Sequence, residues 1–330
     1  MRVLVTGASG LLGGRTATAL ADRGDDVTVL QRRASGLGLR EVRGDVTDRD
    51  TVARAAEGHD AVVHLAAKVD VTGRWSDYER VNVGGTAAVV AACRAAGVRR
   101  LVHVSSPSVA HAGESLVGVG AGPADPATAR GHYARSKGLA EQVALGADGD
   151  GLAVVAVRPH LVWGPGDTQL VARLVDRARS GRLPVVGTGA ALIDSTYVTN
   201  AVEALVAAVD RCESAHGRAV VVSNGEPRPV AELVADICRA AGAPAPHRRV
   251  PTVAALTAGA VAEGWVAARG AVQRLTGRPP AATDPPLTRF VVEQLTTAHW
   301  FDQRETRTLL GWTPRVSVEQ GLAELAASLR

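Results

Sequence analysis

The N-terminal run Arg2-Val3-Leu4-Val5 passes directly into Thr6-Gly7-Ala8-Ser9-Gly10-Leu11-Leu12-Gly13, and a helical pattern follows over 15–23. Few folds place glycines at every third position of a strand-to-helix turn. Gly7, Gly10 and Gly13 allow a tight turn and leave the backbone open to a close-lying pyrophosphate, whose charge then meets the unpaired N–H groups of the helix start. Ser9, Leu11 and Leu12 complete the cradle. The chain has 36 glycines, so spacing alone is a weak signal; the buried-type strand before it and the helix after it give it meaning.

The rest of the first half keeps the same alternation. A second strand over 27–30 ends in Gln31-Arg32-Arg33. A site reading a ribose 2′-hydroxyl would carry an acid there, whereas Arg32 and Arg33 suit a 2′-phosphate, so NADP(H) is favoured and NAD(H) is possible. Both arginines also fit a solvated loop. A third strand over 42–48 ends in a polar turn, with Asp45 placed to meet an adenine amino group and Val46 beside it. The strand over 61–67 ends in Ala66 and Ala67, small enough for a cofactor to lie close. Then come a helix over 78–96 carrying Asn82, a strand over 101–106 ending in two hydroxyls, a long Gly/Ala/Pro-rich loop over 110–130 and a strand over 154–159. Strand and helix at this spacing predict an α/β fold: a Rossmann-type doubly wound parallel sheet over 1–165, to which part of 190–225 returns. Residues 166–330 are expected to form a smaller, mainly substrate-binding C-terminal lobe, with helices over 169–180, 230–241 and 291–297 and a strand over 219–222. Residues 253–275 read as an apolar lid or pocket wall.

The charge pattern excludes several functions. The formal net charge is +4, but no run exceeds two consecutive basic residues, so no nucleic-acid partner is indicated. Cys93, Cys212 and Cys238 lie far apart, an odd set that suits reduced thiols in the cytoplasm and offers no metal spacing. No targeting segment is read before the first strand, and the apolar run from 253 stops at Glu263, too short for an integral membrane segment. His64 and His103 lie inside apolar strands and read as satisfied core histidines. Of 37 basic residues only two are lysines, Lys68 and Lys137. Lys137 stands four residues after Tyr133, one helical turn, so phenol and ammonium share a face.

The cradle, the strand-end hydroxyls and Tyr133-x-x-x-Lys137 together resemble the extended short-chain dehydrogenase/reductases. Arg158-Pro159-His160-Leu161-Val162-Trp163-Gly164-Pro165-Gly166-Asp167, Pro286-Leu287-Thr288-Arg289-Phe290 and His299-Trp300-Phe301-Asp302 are similar to the 3β-hydroxysteroid dehydrogenase branch. Ser105 to Val109, taken with Arg158 to Asp167, resembles the bacterial 2-alkyl-3-oxoalkanoate reductases. The resemblance implies an NAD(P)-dependent oxidoreductase interconverting a ketone and a secondary alcohol on a small apolar substrate. Tyr133 would be the proton donor, Ser106 the hydrogen-bond donor to the reacting oxygen, and Lys137 both a tuner of the phenol and a ribose contact. An ammonium one turn away is expected to favour the phenolate. By the same resemblance Pro159 and His160 would touch the cofactor, and Lys68, Ser108, His160, Trp163 and Thr196 would line the substrate pocket. A homodimer through the tyrosine-bearing helix is a further implication. Thr199 stands where relatives usually carry Asp and reads as a structural position. A nucleotide-sugar epimerase with tightly held nicotinamide is the alternative. A dehydratase would want an Asp-Glu pair where Pro107-Ser108 stands, and a cofactor-sensing regulator would generally lack the tyrosine.

Overall fold

The computed structural model describes residues 1–69, 73–276 and 288–329, with 266–276 given by their backbone alone. Strands β1 (Arg2–Thr6), β2 (Asp26–Gln31), β3 (Arg40–Arg43), β4 (Ala61–His64) and β5 (Arg100–Val104) follow one another. After them β6 (Leu116–Val119) leaves for a second sheet and β7 (Ala153–Pro159) returns. The main sheet has seven strands in the order Arg218–Val222, β7, β5, β4, β1, β2, β3, every neighbour parallel. The chain starts in the middle with β1, works outward to β3, then crosses back to β4 and builds the other side. The reversal between β1 and β4 opens a crevice at the carboxyl ends of the strands, where such sheets take their ligands.

Both faces of the sheet are covered, which is why β4 is buried at all four positions rather than alternating. On one side lie α1 (Leu11–Asp22) and α7 (Val198–Ala215), whose Ala204, Leu205, Ala208 and Cys212 pack against Val5, Val29, Val102 and Val157. On the other lie α2 (Arg49–Ala56), α4 (Gly85–Ala96) and α5 (Gly131–Leu145), closing over Leu4, Val62, Leu101 and Val154. The third strand is shorter than expected. It stops at Arg43, since Asp45 accepts the N–H and hydroxyl of Thr47 and Asp48 caps α2 through the N–H groups of Asp50 and Thr51. The helix α7 escapes the sequence reading altogether.

The expected helix over 78–96 begins earlier, at α3 (Trp75–Tyr78), and contains a π-helical turn at Glu79–Gly84 before α4. The loop over 110–130 hides β6, which pairs with His299–Phe301. Those two, Leu192–Ile193 and Arg228–Pro229 form a four-stranded second sheet. Around it the lobe packs α6 (Leu170–Arg179), the helix Val230–Ala240 and the helix Val318–Ser328 over Trp163, Ile193, Tyr197, Leu233 and Ile237. The apolar stretch after 252 is a single helix, Thr252–Thr276. It leaves Val253 and Val261 largely exposed, and among the described residues no helix is long and apolar enough to cross a membrane. The Pro-rich stretch over 278–286 and Pro286-Leu287 of the resemblance lie outside the described residues.

Candidate active site

The cradle is shaped for a ligand that lies against bare backbone. Gly7 sits at φ +78°, and a Cβ there would stand 2.7 Å from the Ala66 nitrogen. At Gly13 a Cβ would be 2.4 Å from the Gly7 carbonyl oxygen. The first helix has no side-chain cap at Gly10, so its leading N–H groups are available to an anion. A cavity of about 900 Å³ runs from Gly7, Ser9, Gly10, Leu11, Leu12 and Gly13 past Ala67 and Pro159 to Tyr133 and Lys137. Its length, the bare backbone and the unpaired helix start fit a dinucleotide.

At the far end, β5 and α5 bring the reactive groups together. Ser106 caps the short 3₁₀ turn Pro107–Ala110 and exchanges a hydrogen bond of 2.9 Å with Ser108. Its hydroxyl reaches the Tyr133 phenol. Burial pushes that phenol above its usual range, and the hydrogen bond from Ser106 is what opposes the rise. Here the sequence expectation needs correction: the Lys137 ammonium donates to the Val104 carbonyl instead of turning to the phenol. Burial brings Lys137 down to about 8, against the pull of Glu141 one turn further on. The neighbouring Ser105 lines the cavity, and its buried hydroxyl has no partner among the described residues.

Behind these groups the π-turn aims Asn82 inward. Its Oδ1 accepts the Lys68 N–H at 2.7 Å, and its Nδ2 donates to the Lys68 carbonyl at 3.1 Å and to Ser136 Oγ at 2.8 Å. Ser136 in turn donates to the Tyr133 carbonyl. One buried amide thus ties the loop after β4 to α5, the helix that carries Tyr133 and Lys137, a use often made of π-turns. The Lys68 ammonium lies 5.2 Å from the centre of the Tyr78 ring. His64 is locked neutral between Thr6 and Thr86, and burial lowers it to about 3. His103, expected to be satisfied, is not: both ring nitrogens are buried without a partner among the described residues.

Other expected contacts are placed elsewhere. Trp163 is fully buried, its indole donating to Ser195 Oγ at 3.0 Å, and belongs to the core of the lobe. Thr196 is also fully buried, its hydroxyl shared between the His160 and Val222 carbonyls. Neither is part of the lining of the cavity described above. Val46 is 7% exposed and packs where a Cβ on Gly85 would come within 2.9 Å of it. Ala66 braces the cradle by donating to Thr6 Oγ1. Arg32 and Arg33 are exposed beyond the end of β2, and Arg32 helps hold the Asp45 carboxyl below its ordinary range, after the bonds from Thr47. His160 follows β7 and gives its Nδ1 proton to the Asp194 carbonyl.

Three features went unread. Thr199, taken as merely structural, lines the cavity, as do residues 166–169. They are remote in sequence, and nothing local marks them. Arg15 also lines it, donating to the Pro165 carbonyl, and its place one turn after Leu11 was a usable signal. Glu41 is the third. The end of β2 lacks an acid, but the adjacent strand supplies one, held by Ser35, Arg43 and, at 3.4 Å, Gln31.

Comparisons with known proteins find relatives over the whole length of the chain. A model of the 3-beta hydroxysteroid dehydrogenase/isomerase family matches residues 4–252. The chain is 41% identical over 338 residues to a 2-alkyl-3-oxoalkanoate reductase of Stenotrophomonas maltophilia, covering 99% of each. It is 33% identical to a 3 beta-hydroxysteroid dehydrogenase/Delta 5→4-isomerase of Mycobacterium tuberculosis, covering 98% of this chain and 89% of the other. A solved structure of MoeE5 in complex with UDP-glucose and NAD superposes with a TM-score of 0.74 at 27% identity, over 99% of this chain and 98% of that one. With its cradle, seven-stranded parallel sheet and whole-length relatives, the chain belongs to the 3-beta hydroxysteroid dehydrogenase/isomerase family of NAD-dependent oxidoreductases.

Proposed function

We propose that the protein reduces the ketone of an apolar substrate to a secondary alcohol, or runs the reverse, with a 2-alkyl-3-oxoalkanoate favoured and a 3-hydroxysteroid the second substrate type. The observation that carries this is that Tyr133 and Lys137 line the end of a cavity that begins at the glycine cradle, with Ser106 hydrogen-bonding toward the phenol. When bound, the nicotinamide cofactor supplies or accepts the hydride. The cradle backbone holds its pyrophosphate and Lys137 its ribose. Ser106 donates a hydrogen bond to the reacting oxygen, the preorganised part of the stabilisation. Tyr133 gives that oxygen its proton. A phenol raised by burial keeps its proton at neutral pH, which suits a donor.

Tyr133→Phe removes the proton and little else. Nicotinamide consumption with a 2-alkyl-3-oxoalkanoate should fall by about 10²- to 10⁴-fold, with cofactor affinity retained; unchanged turnover would rule the mechanism out. We further propose that the protein is cytoplasmic and prefers NADP(H), with Arg32 and Arg33 facing a 2′-phosphate and Glu41 working against it. The likeness to MoeE5 bound to UDP-glucose and NAD supports a second reading, a nucleotide-sugar epimerase. An epimerase of that kind holds its nicotinamide through purification, so freshly purified protein with no nicotinamide absorbance argues against it.

A further inference from the structure

The reaction as described makes no use of His64, the last residue of β4. It is 2% exposed, and its hydrogen-bond partners Thr6 and Thr86 are 0% and 1% exposed. Thr6 precedes Gly7 at the floor of the cradle, where a Cβ on Gly7 would stand 2.7 Å from the Ala66 nitrogen. Thr86 lies in the first turn of α4, directly after the π-turn that carries Asn82. One buried ring therefore touches both the cradle and the element that braces α5.

Proton supply fixes the direction of every bond along this path, because a hydroxyl has only one proton to give. Ser136 gives its own to the Tyr133 carbonyl, so its oxygen accepts from the Asn82 amide at 2.8 Å. That amide cannot be reversed, since its oxygen accepts the Lys68 N–H. Thr86 gives its proton to the Asn82 carbonyl at 2.7 Å, so its oxygen accepts from His64 Nε2 at 3.1 Å. The neutral ring then carries its proton on Nε2, and Nδ1 is a lone pair. Nδ1 accepts from the Thr6 hydroxyl at 2.8 Å, and the Thr6 oxygen accepts from the Ala66 N–H at 3.1 Å. The other groups that face the ring are the neutral His103, 5.6 Å away between centroids, and the Lys137 ammonium. A second proton on Nδ1 would meet that positive charge and force the Thr6 hydroxyl to turn away. Two runs of hydrogen bonds joined through Asn82 thus lead in one sense from the cradle floor to the backbone of Tyr133.

Both ends of this path are backbone groups. The Ala66 N–H keeps its proton and the Tyr133 carbonyl cannot pass one on, so the path does not conduct protons. What it does is hold distance across β1, β4, α4 and α5. We infer that His64 is a positioning residue that, through Thr6 and Thr86, sets the span between the cofactor cradle and the Tyr133 phenol. A dinucleotide has a fixed reach from pyrophosphate to nicotinamide, so the phenol has to stand at a matching distance from the cradle, and small misplacements are costly in rate. Imidazole suits the task because one rigid ring carries an acceptor on one side and a donor on the other. The inference rests on Tyr133 being the proton donor and adds the element that keeps it in register with the cofactor.

The experiment replaces Thr86, which is not among the residues lining the cavity, by Val and by Ser. Thr86→Val removes the hydroxyl and breaks the path, whereas Thr86→Ser keeps it. With a 2-alkyl-3-oxoalkanoate, Thr86→Val should lower kcat by about 10- to 100-fold, with cofactor affinity, titrated directly, within about 3-fold of the unaltered protein. Thr86→Ser should restore kcat to within about 3-fold. Nitrogen NMR of the unaltered, cofactor-free protein should show His64 with its proton on Nε2 and a bare Nδ1, unchanged between about pH 8 and pH 5; this result stands whether or not Thr86→Val folds. Full kcat in Thr86→Val, a loss of cofactor affinity in step with kcat, no recovery in Thr86→Ser, or a His64 proton on Nδ1 each overturns the inference and leaves the reductase reading standing. If the unaltered enzyme turns over no ketone with either cofactor, or Tyr133→Phe keeps full turnover, the proton-donor reading falls and takes the inference with it.

Discussion

On the proposed NADP(H) reading, cofactor choice turns on two side chains of opposite sign near the outer end of β2. Arg32 is exposed and free of a carboxylate hydrogen bond among the described residues, while Glu41 is pinned by Ser35 and Arg43. Arg32→Ala should cost about 5- to 20-fold in affinity for NADP(H) and leave NAD(H) nearly unchanged, since only the 2′-phosphate loses a partner. Direct titration of both cofactors measures this, and an equal effect on the two would remove the NADP(H) preference. At this scale the sequence is readable where chemistry is local. Tyr133 and Lys137 share a helical face whatever packs around them, and the cradle glycines are neighbours in the chain. It is unreadable where tertiary packing decides. Trp163 and Thr196 carry residue types that suit a pocket wall, but the pairing of Val162–Trp163 with Thr196–Tyr197 turns both into the core. The absence of an acid on β2 hid Glu41, because strand order is not written in β2 itself.

Among the elements, β7 and α5 are bolted together by a buried ion pair. Arg158 and Glu141 have side chains 1% and 2% exposed, and the guanidinium also donates to the Ala121 carbonyl. Arg158→Met leaves the Glu141 carboxylate buried and alone, which should cost about 3–5 kcal/mol in chemical denaturation. Pairing it with Glu141→Leu should recover most of that loss, because no charge then remains buried. A loss under about 1 kcal/mol in the single variant would show that water reaches the pair. The π-turn is an element of the same kind. Its sequence reads as one helix over 78–96, and only the contacts of Asn82 with Lys68 and Ser136 explain why an extra residue is accommodated there. The helix α7 was missed because its Ala-rich face depends on α1 and the sheet for its burial.

Taken whole, the molecule buries histidines without charging them. His64 and His299 are lowered to about 3, His160 to about 4, and His59, His103 and His111 also fall below the usual imidazole range, all chiefly through burial. A base lowered in the folded state contributes no penalty above pH 6.5. As the pH falls below that value the unfolded chain takes up protons that the folded one refuses. Asp194, raised to about 6 by burial, acts in the opposite sense, its cost being relieved as pH falls through 6. Six groups against one predict that Tm drops by about 5 °C or more between pH 7 and pH 5; a flat or rising Tm would mean the imidazoles gain protons without unfolding. The layout of the second sheet has a bearing on synthesis. The Ser115 hydroxyl accepts from the Ala298 backbone across 183 residues, and β6 finds its partner only at His299–Phe301. As the chain leaves the ribosome, β1 to β5 and β7 can pair in sequence, whereas β6 has to wait for a partner strand 183 residues further on. The lobe's half-made pocket is the stage of biogenesis at which a chaperone has most to protect.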